Sequence, residues 1–231
     1  MATQNWRRDW VTEKCEIASA LARGCAGGSY SEAAILVCAV LSALAAEVWP
    51  GRRLDRVRFI ELLVRLGPQV KIPMTISVPL LVRELEQASA HVNAALLKKA
   101  FLNFSPTRIV TGSEVDNTEA KILALCADLT PQIIRKYSYA CILYEEVRSS
   151  YAHEYKPGER ADSWPATMAE GESVSYVNRL LVAGTPKTGR LIHFHIASLA
   201  KLAIDIAADI DVHSNTVPRQ APTVWWIDGG T

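Results

Sequence analysis

Apolar positions along this chain fall mainly at helical spacing. The longest uncharged run, Ala33 to Ala46, lies between Glu32 and Glu47. It is shorter than the ~20 residues a helix needs to cross a bilayer, so it predicts a buried core helix. Residues 4–23 read as a first helix, ended by Gly24, Gly27 and Gly28. Ser31 is positioned to cap a second helix through Val48, which Trp49-Pro50-Gly51 stops. Asp55 is a candidate N-cap for a third, carrying Val57, Ile60, Leu63 and Val64 coreward and ending at Gly67-Pro68. Residues 69–79 read as loop. A fourth helical stretch covers about 80–102, with Asn93 and Ser89-Ala90-His91 as points of division. Another loop (103–113) and a short helix near 114–127 follow.

Thr130-Pro131 is a helix start, because proline's missing N–H costs nothing at the first helical position. From there Ile134, Tyr137, Cys141, Tyr144, Arg148 and Tyr151 recur at steps of three and four, one continuous stripe that Pro157-Gly158 ends at the latest. After a polar loop (156–171) the period changes to two. Residues 173–177 and 191–196 alternate around Gly184-Thr185-Pro186-Lys187-Thr188-Gly189, which predicts a β-hairpin at about 173–196. A final helix at about 197–211 and an irregular tail, 215–231, complete a mainly α chain with one domain over 1–214.

Composition narrows the function classes only a little. The chain has 25 basic and 24 acidic side chains, a net charge of +1, so binding to nucleic acid requires local asymmetry. Charged residues in the first turns predict no signal peptide and no membrane partner. Five cysteines at irregular spacing, with no Cys-x-x-Cys pair, point to reduced thiols and a cytoplasmic setting.

Arg148 interrupts an otherwise apolar stripe. A guanidinium at such a position needs a partner or a task. Five residues later comes His153, in Arg148-Ser149-Ser150-Tyr151-Ala152-His153. On an ideal helix five residues turn about 500°, which leaves the two side chains roughly 140° apart. They converge only if the helix loosens near its end.

An arginine, four intervening residues and a histidine at the end of a long helix resembles the HEPN superfamily. The Trp49-Pro50-Gly51 turn with the helix after it, and the late hairpin before a final helix, extend the resemblance over about 29–211. The resemblance implies a HEPN-like helical bundle with a small C-terminal hairpin and final helix. It also implies metal-independent RNA cleavage by Arg148 and His153 in stress response, toxin–antitoxin or defence roles. Two Arg-His pairs would meet in a two-fold homodimer; RNA and an antitoxin protein are the implied partners, with no cofactor. HEPN ribonucleases often carry Asn, Asp or His directly after the arginine, where this chain has Ser149. Some members are non-catalytic modules that bind RNA, nucleotide or a protein, which is the alternative reading. Tyr151 and Glu47 are candidate supporting residues. Histidine suits proton transfer from a 2′-hydroxyl near neutral pH, and arginine offers a permanently charged fork to the phosphate.

Structural explanations stand beside these. Arg148 can pair with Glu145 three residues back, and His153 can rest on a helix C-terminal dipole. His193 and His195 share one strand face but lack an identifiable third ligand, so no metal site is expected and a solvated face is the better reading. Arg52, Arg53, Arg56, Arg58 and Arg65 form a basic cluster able to track an RNA backbone or to serve as a solvated helix face. Trp225-Trp226 offers stacking surface or an anchor for the tail.

Overall fold

A computed structural model describes residues 5–68, 71–104, 108–163, 171–178, 190–212 and 217–230. Its centre is α2 (Tyr30–Val48), whose apolar residues point in nearly every direction. Such a helix must be covered on several sides. The cover comes from α1 (Trp6–Ala22), α3 (Asp55–Arg65), α11 (Ile196–Val212) and the helix that carries Arg148. Ser29, rather than Ser31, caps α2. Its hydroxyl accepts from Ser31 N at 3.1 Å while Glu32 reaches back to Ser29 N at 2.7 Å. The reciprocal bond needs an acid three residues after the cap, which only Ser29 has. The helix is 19 residues, longer than its uncharged run, and by length and composition it could cross a membrane; half of that window is buried inside the fold.

The 80–102 stretch divides into α4 (Val78–Gln87) and α5 (His91–Phe101) at Ser89, whose φ is +60°. The loop expected over 103–113 contributes β1 (Val110–Thr111), followed by α6 (Gly112–Val115) and α7 (Glu119–Leu125). The expected hairpin, β2 (Val174–Asn178) and β3 (Arg190–Phe194), is therefore part of a three-stranded antiparallel sheet in the order β1-β2-β3. Tyr176 sits opposite both Val110 and Ile192. The Gly184–Gly189 connection falls outside the described residues.

The single helix expected from Thr130 onward is broken. After α8 (Pro131–Arg135) the backbone at 137–140 is claimed by the 73–77 segment: Ser77 N donates to Tyr137 O (2.8 Å), Tyr139 N to Thr75 O (3.0 Å) and Ala140 N to Pro73 O (2.9 Å). Ser138 then caps a new start, its hydroxyl accepting from Cys141 N. This helix runs as α9 (Tyr139–Ile142), a π-helical stretch Leu143–Ser149 and α10 (Ser150–Glu154), with Tyr155 in the left-handed region at its end.

The tail expected to be irregular is docked. Trp226 N donates to the fully buried Glu61 carboxylate (2.8 Å), and Arg135 donates to Trp226 O (2.6 Å) and Gly230 O (2.9 Å) while pairing with Glu119 (2.7 Å). Trp49 meets Trp225 edge-on at 5.9 Å. The two tryptophans thus anchor the tail. Arg135→Met should cost about 3 kcal/mol, because it strips a partly buried acid and two carbonyls of their donor. Urea denaturation with tryptophan fluorescence measures this; a loss below about 1 kcal/mol would mean the tail is held by apolar burial alone.

Candidate functional site

The π-helical stretch and α10 lay one face on α2 and α3, and Arg148 belongs to it. Its Nη2 lies 2.7 Å from Asp55 Oδ2, its Nε donates to Ser42 Oγ at 3.4 Å, and its guanidinium stands 5.4 Å from the Tyr144 ring centre. Tyr144 Oη donates to the same Asp55 oxygen (3.1 Å), and Arg58 approaches the other at 3.4 Å. Asp55 is therefore the first helical residue of α3, after Leu54 at the cap position, and it works as a counter-ion rather than a cap. The Arg148 side chain is 23% exposed, and its Nη1 makes no hydrogen bond among the described residues. Stretches of π-helix concentrate at functional sites.

Arg148 does not pair with Glu145. That carboxylate is held by Arg56 at 2.9 Å and Arg160 at 2.8 Å. Arg160 also binds Glu146 through Nε (2.6 Å) and its backbone N–H (2.9 Å). Burial opposes the charge on Arg160, and Glu146 and Glu145 more than offset it. Three of the five clustered arginines are thus engaged, Arg56 with Glu145, Arg58 with Asp55 and Arg65 with Glu61, which leaves Arg52 and Arg53 exposed.

His153 is exposed, and its neighbours show why. Tyr151 is buried against Tyr30, with ring centres 6.3 Å apart, and Tyr155 Oη donates to Glu32. Two residues on an α-helix turn about 200°, so with Tyr151 facing α2 the side chain of His153 lies on the opposite side. Arg148, three before Tyr151, shares the tyrosine face. No hydrogen bond or ion pair joins Arg148 to His153, and the helix keeps regular α geometry between Ser150 and Glu154. The loosening that would bring the two together is not present.

The supporting residues are spread. Ser149 is half-buried and makes no side-chain hydrogen bond among the described residues. The Tyr151 hydroxyl is buried near Ser31 and Ser163, and burial raises its pKa. Glu47 does hold an arginine, but that arginine is Arg7 of α1 (Nε to Oε1, 2.9 Å), which also reaches Asp211 of α11 at 3.0 Å. Ser42 and Asp55 are the contacts that sequence reasoning missed. The available signals were a lone hydroxyl in the Ala33–Ala46 run and an acid set among arginines.

The face carrying His193 and His195 is covered rather than solvated. His193 is 4% exposed, 4.7 Å from the Tyr30 ring centre, with Nδ1 3.1 Å from Asp162 O. His195 Nε2 lies 2.7 Å from Ser175 Oγ. Burial lowers the pKa of both, which favours neutral rings at pH 7. Among the described residues no three His, Cys, Asp or Glu side chains gather as a metal site.

A separate polar knot surrounds Asp116, which accepts from Tyr139 Oη, Tyr176 Oη (2.6 Å) and Val78 N (2.9 Å). Burial pushes its carboxyl up to about 7 despite these donors.

No family model, curated protein or solved structure matches this chain.

Because Asp116 holds its proton more tightly when folded, its contribution to stability is fully present below about pH 4 and is lost as pH rises through about 7. The stability of the wild-type protein relative to Asp116→Asn should therefore fall between about pH 4 and 7 and level off above. Melting curves of the pair check this, and a difference independent of pH would contradict it.

Proposed function

We propose that this protein is a metal-independent endoribonuclease of the HEPN type, with Arg148 stabilising the phosphate and His153 transferring protons. The observation that carries the proposal is the setting of Arg148. Asp55, Ser42 and Tyr144 hold its guanidinium on a π-helical stretch, with Nη1 unengaged among the described residues, on the helix that also presents an exposed His153. An arginine fixed in advance loses little freedom when it meets a phosphate oxygen. Histidine takes the proton of the 2′-hydroxyl, that oxygen attacks the adjacent phosphorus, and the 5′-oxygen leaves with a proton from a second acid. The products are a 2′,3′-cyclic phosphate and a free 5′-hydroxyl.

Since Arg148 and His153 face different ways within one chain, the proposal places the site in a two-fold homodimer, where the His153 surface of one copy meets the Arg148 surface of the other. Stress response or defence, with an antitoxin protein as a further partner, is the setting this chemistry suits. Divergence of the pair also favours a second reading, a non-catalytic module that binds RNA through Arg148.

Purified protein mixed with cellular RNA should cleave it in the presence of EDTA, and a 2′-deoxy substitution at the scissile position should block cutting. Arg148→Ala and His153→Ala should each lower cleavage at least ~100-fold, in the range for loss of a catalytic acid–base or a stabilising donor, without unfolding the chain. Asp55 keeps Arg58 and Tyr144 as partners when Arg148 is removed. Mixing the two variants should restore part of the activity, because a mixed dimer contains one intact Arg148–His153 site. Cleavage by both variants at the parental rate would refute the assignment. RNA retention without cleavage, lost in Arg148→Ala, would establish the binding module instead.

A further inference from the structure

We propose that the cleft beneath the C-terminal segment binds a small molecule that carries an oxyanion, a carboxylate or a phosphate, on an apolar body. The cleft is open to solvent and offers about 610 Å³ between α3, the end of α2 and residues 219–230. It lies within the size range of small-molecule sites. The proposal is independent of RNA cleavage.

The argument begins with the acid in its wall. Glu61 is fully buried, and both of its oxygens are occupied: Arg65 Nε donates to one and Trp226 N to the other. Glu61 therefore has no further demand for donors. Arg65 has used only Nε, and its Nη1 and Nη2 make no hydrogen bond among the described residues. Arg219 is a second guanidinium on the same cleft. Its backbone N–H is tied to Val48 O at 2.7 Å, which fixes the residue, yet its side chain has no carboxylate partner among the described residues. Trp49 Nε1, buried in the same wall, has no acceptor among the described residues.

Among the described residues, two arginines against one buried, already satisfied carboxylate leave the cleft with one excess positive charge and a surplus of N–H donors. A surplus of this kind is matched by a ligand that brings acceptors and negative charge. Guanidinium forks favour planar, two-point contact with carboxylate or phosphate. Pro222 and Val224 supply apolar surface beside them, which a bare inorganic ion leaves unused. The docked tail is thus one wall of a binding site as well as a structural strap.

Isothermal titration calorimetry of the full chain tests this with phenyl phosphate, benzoate, inorganic phosphate and, as a neutral control, benzyl alcohol. Phenyl phosphate or benzoate should bind one to one and tighter than inorganic phosphate, and whichever binds better identifies the oxyanion class. Benzyl alcohol should not bind. Arg219→Ala should weaken the preferred probe by about 10-fold or more, as expected for loss of a charged hydrogen-bond donor. Its fold is preserved because its side chain holds no carboxylate. Arg65→Lys keeps the pair with Glu61 but loses the fork, and should weaken the same probe. Three results would overturn the proposal: no heat from either aromatic probe up to about 10 mM, equal binding of benzyl alcohol, or affinity that neither variant changes.

Discussion

Everything about the position of Arg148 follows from the need to cover α2. Ten of its residues are buried, among them Val37, Cys38, Leu41, Leu44 and Val48, and they do not lie on a single stripe. Alanines at 33, 34 and 45 let neighbouring helices approach closely. The helix ending at Glu154 is one of those neighbours. Once it lies against so apolar a surface, a guanidinium on its inner face requires a counter-charge, and α2 supplies only the Ser42 hydroxyl there. The carboxylate comes from Asp55, the first residue of α3. This ion pair thus ties the first turn of α3 to the helix carrying the candidate site, beside the apolar packing of both on α2.

The π-helical winding between Leu143 and Ser149 is part of the same arrangement. With more than four residues per turn, side chains four apart fall closer to one line than on an α-helix. Tyr144 and Arg148 are four apart, and both reach Asp55. Glu145 and Glu146 are carried to the other side, where Arg56 and Arg160 receive them. Opposite charges are thereby sorted onto separate partners, so that Arg148, not closed by Glu145, retains an Nη1 unengaged among the described residues.

The helices were legible where amphipathic spacing and stop residues agreed. The first three, the final helix and the two long strands could be read from Gly24, Trp49-Pro50-Gly51, Gly67-Pro68 and the alternation around His193. The break at Tyr137-Ser138 was not legible, because its cause is a distant segment, 73–77, that competes for the same backbone groups. Strand β1 has only two residues, too few to show a period. His193 looked solvent-facing because alternation distinguishes two strand faces without telling whether the second is covered; Tyr30 and the segment ending at Asp162 cover it. Arg148 stood out because its stripe was otherwise apolar. Its partner Asp55 did not, since an acid at a helix start already has a sufficient local explanation.

The same geometry bears on what a histidine five residues after an arginine can do. Acid–base transfer and phosphate stabilisation must act within a few ångströms of one phosphorus atom, so the two groups have to face one space. Here two tyrosines decide the outcome. Tyr151 in the core and Tyr155 at Glu32 turn the last helical turn so that the residue between them points outward. Loosening the helix end to redirect His153 would break both contacts, whereas bringing up a second copy of the chain breaks neither. The anchoring of that turn therefore makes assembly, rather than rearrangement within the chain, the less costly way to unite Arg148 with a histidine.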